Sequence, residues 1–161
     1  MKQGKIIVVG LGNKVLGDDG IGAYLITDLQ RELNLDSLSF QISVNGGMEI
    51  IDLLNNYQKA FILDGIRTAE GNPGDIYIMD SDDYMETLHI SNVHDVDFKT
   101  ALKLAEKINL RMPEKITIIA VEVMEDKVFN EFLTPSLMEK YSGILQLTIN
   151  SIKSGLYGAV G

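Results

Sequence analysis

The sequence predicts one α/β domain over residues 1–161, a three-layer α/β/α arrangement around a twisted, mostly parallel sheet of about five strands. Three observations carry that prediction. Short β-rich runs alternate with helical stripes along the whole chain. Several of those runs end directly in glycine-containing loops, at Gly10, Asn45-Gly46-Gly47 and Asp64-Gly65. Finally, 161 residues of which 45% are hydrophobic are enough for one compact core. Right-handed crossovers place helices on both sheet faces but leave the strand order open.

Residues 5–9 read as the first strand, ending at Gly10. Beyond Gly20, Ile21, Leu25, Leu29 and Leu33 recur at steps of four, the apolar stripe of a helix. Phe40, Ile42 and Val44 alternate with polar neighbours, the period-2 pattern of a half-buried strand. Ile50, Leu53, Leu54 and Tyr57 return to helical spacing. Ala60-Phe61-Ile62-Leu63 is wholly apolar, as expected of a strand covered on both faces. Asn72-Pro73-Gly74 is a turn before a fourth strand at residues 76–79. Phe98, Ala101, Leu102, Ala105 and Ile108 share one side of a helix from Val96, and residues 116–121 form a fifth strand beyond Pro113. Thr134-Pro135 opens the last helix, with proline where its missing N–H costs nothing. Leu137, Tyr141, Ile144, Leu145, Thr148 and Ile152 carry that helix, and residues 154–161 are expected to fray.

Composition narrows the function. With 23 acidic and 14 basic side chains the net charge is −9, a surface that repels nucleic-acid phosphates and anionic lipid heads. No nucleic-acid or membrane partner is expected. The absence of cysteine excludes disulfides, a thiolate nucleophile and Cys-based zinc or iron–sulfur sites. The first apolar run is four residues long, against about 7–15 for a secretory signal, so the expected location is the cytoplasm.

Ligands of open α/β sheets bind beyond the carboxyl ends of the strands, which singles out three loops. The first, residues 10–22, suggests a dinucleotide site. However, the third glycine of that fingerprint would stand at Val15, no Gly-Lys-Ser/Thr triplet is present, and Asp18 and Asp19 would repel a pyrophosphate. No nucleotide cofactor is expected. Asp18 and Asp19 also suit simple capping of the following helix. Asp64 ends the third strand, and His94 stands at a helix start with Ser91 and Asn92 nearby. About 45 residues separate Asp19 from Asp64 and about 30 separate Asp64 from His94, each the length of one or two β–α units. Such spacing permits the three to meet at one sheet edge, as an open site for nickel, copper or zinc.

Taken in order, Gly10-Leu11-Gly12-Asn13, Gly17-Asp18-Asp19-Gly20-Ile21-Gly22, Gly46-Gly47-Met48-Glu49-Ile50, Asp64, Pro73-Gly74-Asp75, His94 and Leu133-Thr134-Pro135 resemble the motifs of the hydrogenase maturation endopeptidases. These proteases trim the C-terminal extension from the large subunit of nickel–iron hydrogenases. The resemblance spans nearly the whole chain. It implies metal-reading roles for Asp19 (glutamate in many members), Asp64 and His94, with Asp19 and Asp64 catalytic. His89 matches no family ligand, and Asp18 and Asn13 are implied to support the loop. The implied partner is a hydrogenase large-subunit precursor, whose own nickel is the metal. Neither a Ser–His–Asp pattern nor a His-Glu-x-x-His helix is present to support another protease chemistry. The alternatives are a non-catalytic α/β accessory protein that handles nucleotide or nickel, and a related protease acting on a different precursor, such as a spore protein.

Overall fold

Apolar runs bounded by turns produce five strands: β1 (Lys2–Leu11), β2 (Leu38–Ser43), β3 (Tyr57–Ile66), β4 (Ile76–Asp80) and β5 (Lys115–Glu122). They form one sheet in the order β2-β1-β3-β5-β4, parallel except for β4, which runs antiparallel to β5. The helices are α1 (Ile21–Glu32), entered through a 3-10 turn at Gly17–Gly20, α2 (Gly47–Leu54), α3 (Val93–Lys107) and α4 (Pro135–Tyr157). This computed structural model describes residues 2–44, 47–83, 93–124 and 129–158. His89, Ser91, Asn92 and the Asn45-Gly46 turn lie outside the described residues.

Strand alternation sorts the core into two layers. Ile6 and Val8 of β1 pack with Leu25 and Leu29 of α1 and with Leu137, Ile144 and Ile152 of α4. Ile7 and Val9 point the other way, toward Ile50 and Leu54 of α2 and Phe98 of α3. Every one of these side chains is at least nine-tenths buried, and each large aliphatic contributes about 1.5–3 kcal/mol by leaving water. Ala101 and Ala105 of α3 pack with Ile51 of α2, where small side chains let the two helices approach closely.

Several element ends differ from the sequence expectation. α2 stops at Leu54 because Asn56 adopts a positive φ of 68°, so Tyr57 opens β3 rather than closing the helix. Asn109, at φ 55°, follows α3 in the same way, and Ile108 is exposed rather than on the buried stripe. Ile42 and Val44 also face solvent: β2 is an edge strand packed on the core through Leu38 and, in part, Phe40, and Val44 lies just past its end. The expected fraying from residue 154 does not occur there, since α4 runs on to Tyr157, with Lys59 Nζ donating to the Gly155 carbonyl at 3.1 Å. No helix among the described residues is long and apolar enough to cross a membrane.

The strand order creates the functional edge. From β1 the chain crosses over α1 to β2, then returns over α2, on the opposite face, to β3 on the other side of β1. The crevice beyond the carboxyl ends of β1 and β3 is therefore a topological switch point, where backbone groups and loops converge. α3 also begins at that edge. The stretch following it lies beside the start of β3, where Asn56 N–H donates to the Arg111 carbonyl (2.8 Å) and Glu114 N–H to that of Gln58 (2.9 Å). Its 15 residues, about 22 Å of helix, return the first turn to the carboxyl edge.

Candidate active site

Asp19 reaches the switch point because two glycines let the chain fold tightly there. Gly12 has φ 120°, and a side chain on it would strike the Asp19 carbonyl oxygen at 1.8 Å. A β-carbon on Gly22 would meet the carbonyl oxygens of Leu11 and Leu63, both at 2.5 Å, so α1 begins pressed against the ends of β1 and β3. Gly22 thus does the close-packing job that the dinucleotide fingerprint gives to its third glycine, where this chain has Val15. Asp19 itself is half-buried, and its Oδ2 accepts a hydrogen bond from Asn13 N–H at 3.0 Å. Asn13 Oδ1 in turn accepts from Val15 N–H at 3.1 Å, the loop support expected of it.

Asp64 lies within β3 near its carboxyl end, two residues short of Ile66, and is only 6% exposed. It alternates with Ile62 and Ile66, which places it toward the α2–α3 face. Its Oδ1 accepts the Gly65 N–H at 2.8 Å. A β-carbon on Gly65 would stand 3.3 Å from Ile21 Cγ2, so the segment that follows Asp19 packs on the one that follows Asp64. The two carboxylates therefore stand on adjoining segments of one sheet edge. His94 is the second residue of α3, whose N-terminus reaches the same edge and the same face as Asp64, and its side chain lies outside the described residues. Among the described residues, which do not include the His94 imidazole, no three His, Asp or Glu groups converge closely enough to hold a metal ion.

Neither aspartate caps α1, contrary to the simpler sequence reading. Gly20 is the N-cap and makes no side-chain hydrogen bond. Asp18 is fully buried and turned away from Asp19, toward the N-terminus of α4. Sequence reasoning also passed over Glu122, which is 3% exposed and accepts from Thr68 N–H (2.7 Å) and Thr68 Oγ1 (2.9 Å). That carboxylate anchors the loop of residues 67–75 at the carboxyl edge. The available signal was a single acid between Val121 and Val123 in an apolar run. A third buried polar contact, Ser43 Oγ donating to Glu49 Oε2 at 2.8 Å, ties the end of β2 to the first turn of α2.

A cavity of about 560 Å³ opens at the opposite sheet edge, lined by Lys59, Phe61, Lys115 and Thr117. Among the described residues no carboxylate or imidazole lines it, so it offers none of the groups suited to coordination and proton transfer that stand at the switch point.

The sequence model of the hydrogenase maturation protease family (HycI) matches residues 25–151. The chain belongs to this family. The matched span contains Asp64 and His94 and begins after Asp19. A curated relative, the hydrogenase expression/formation protein HupD of Thiocapsa roseopersicina, is 25% identical over 149 residues. That alignment takes in 90% of this chain and 66% of HupD, so the chain spans just under two thirds of that relative. The hydrogenase maturating endopeptidase HybD of E. coli shares the fold at a TM-score of 0.79 and 21% identity, covering 94% of this chain and 93% of that one. The [NiFe] hydrogenase maturation protease HybD of Thermococcus kodakarensis superposes at 0.69 with 17% identity, over 91% and 98% of the two chains. The five-stranded α/β architecture is thus shared with solved structures of the family.

Proposed function

We propose that this chain is an endopeptidase that removes the C-terminal extension of a nickel-loaded [NiFe]-hydrogenase large-subunit precursor. The observation that carries the reading is the placement of Asp19, Asp64 and the His94-bearing turn of α3 at one topological switch point. Nickel belongs to the substrate. Two carboxylates and an imidazole suit completion of the coordination of a partly liganded divalent ion, which brings the neighbouring scissile peptide against the same edge. An ion held there would polarise the carbonyl; one of the two carboxylates accepts a proton from the attacking water and returns it to the leaving amine as the peptide C–N bond breaks. Anchoring through the metal makes metal insertion a condition for cutting.

The test compares nickel-loaded with nickel-free precursor. Wild-type protein is expected to trim only the loaded form. Asp19→Asn, Asp64→Asn and His94→Ala are each expected to slow that cleavage by about 10²-fold or more. Wild-type rates in all three variants would show that the site is misassigned. Calorimetric heat with free nickel or a nucleotide, and no proteolysis, would favour an accessory protein instead.

A further inference from the structure

Asp18 precedes Asp19 and has no solvent exposure, yet its partners lie more than a hundred residues away. Its Oδ1 accepts from Thr134 N–H at 2.7 Å, and its Oδ2 accepts from Thr134 Oγ1 at 2.9 Å and from Met124 N–H at 3.2 Å. Thr134 is the N-cap of α4, but its hydroxyl makes no capping bond to its own helix and is directed to Asp18 instead. The carboxylate sits where the α4 dipole favours negative charge. It also joins three elements: the 3-10 turn, the end of β5 and the start of α4.

The same segment grips the loop at other points. Gly17 N–H donates to the Asn130 carbonyl at 2.7 Å, and Asn130 N–H to that of Val15 at 3.0 Å. The Tyr24 hydroxyl on α1 donates to the Glu131 carbonyl. Residues 15–18 are thus held from the side by residues 130–134, and Asp19 is the next residue out of that clamp. Among the described residues its own carboxylate has no comparable set of bonds, and the contact from Asn13 N–H reports where it stands.

We infer that Asp18 and Thr134 are positioning residues: their buried hydrogen bonds hold the 3-10 turn in the register that presents the Asp19 carboxylate at the switch point. Because a misplacement of about 1 Å at a reacting group costs about 10²-fold in rate, the clamp sets turnover without touching substrate. This inference rests on the proposed role of Asp19 for its catalytic consequence, but its geometric half stands without it.

The experiment uses full-length wild type, Thr134→Val, Thr134→Ser and Asp18→Asn. Thr134→Val removes one hydrogen bond of the three and keeps the backbone donor, so the fold survives. Asp18→Asn aims an amide donor at groups that are themselves donors, the stronger perturbation. Two quantities are read: amide exchange at Asn13 by NMR, and kcat and KM for cleavage of the nickel-loaded precursor. In Thr134→Val, exchange at Asn13 is expected to accelerate about tenfold while amides in the middle of β1 and α1 are unchanged. The same variant should lose about 10–100-fold in kcat with KM within about twofold, and Thr134→Ser should restore both quantities. Asp18→Asn should show the same pattern, more strongly. Unchanged exchange at Asn13 in Thr134→Val would overturn the inference, as would a lowered melting temperature with normal kcat per folded molecule. If wild type fails to cleave the precursor, the proposed function falls, and exchange at Asn13 still decides whether the clamp holds Asp19.

Discussion

Two adjacent acids in one loop have opposite fates. Asp18 is buried among donors from the far end of the chain, while Asp19 stays half-exposed at the sheet edge. Local pattern shows both as acids at a helix start, and only the family resemblance assigns them different roles, because what distinguishes them physically is a contact made only after α4 has packed. Tyr141 shows the same dependence on packing. Burial, and then the hydrogen bond from its hydroxyl to Asp28 Oδ2 at 2.5 Å, raise its pKa above the ordinary value of 10.0. The folded protein therefore keeps a proton that the unfolded chain gives up from about pH 10 upward. Since the unfolded state then binds fewer protons, stability falls as pH rises through that range. Tyr141→Phe has no such proton to keep. Its stability deficit against wild type in urea is expected to be largest near pH 8 and to shrink toward about pH 11, whereas a constant deficit would deny the hydroxyl this role.

At the scale of elements, α1 is seated by glycine. Gly22→Ala drives a methyl group toward the carbonyl oxygens of Leu11 and Leu63, and neither is the tip of a flexible side chain. The expected cost is about 1–3 kcal/mol, measured as a lower urea midpoint, with cleavage slowed because the same shift moves Asp19. A neutral substitution would mean that α1 does not press on the strand ends. The elements themselves were largely legible: β1, β3, β5 and the buried stripes of α1 and α4 follow directly from period and apolarity. Their limits were less so. Tyr57 continues the apolar spacing of α2, and only the left-handed backbone at Asn56 reveals that the helix has already ended. Ile42 and Val44 fit an inward face, but edge position is a property of strand order, which hydrophobic alternation does not encode.

For the whole molecule, the decisive feature is a chain path that passes to one side of β1, returns on the other, and brings α3 back to the same edge. The loops after β1 and β3 could be picked out from sequence because each follows an apolar strand and carries an acid beside a glycine. That they adjoin could not, since it depends on β3 pairing directly with β1 while β2 is placed outside. The role of Glu122, and the turning of the Thr134 hydroxyl to Asp18 rather than to its own helix, escape sequence reading for the same reason: the partners are distant in sequence and invisible to local pattern. The central claim is that two acids and one imidazole share a single ion at this edge. Anomalous diffraction at the nickel absorption edge, from crystals soaked in a nickel salt, tests it most directly. A peak about 2 Å from oxygens of Asp19 and Asp64 and from a nitrogen of His94 is the predicted result. Nickel seated elsewhere, with those three side chains too far apart to share it, would contradict the account.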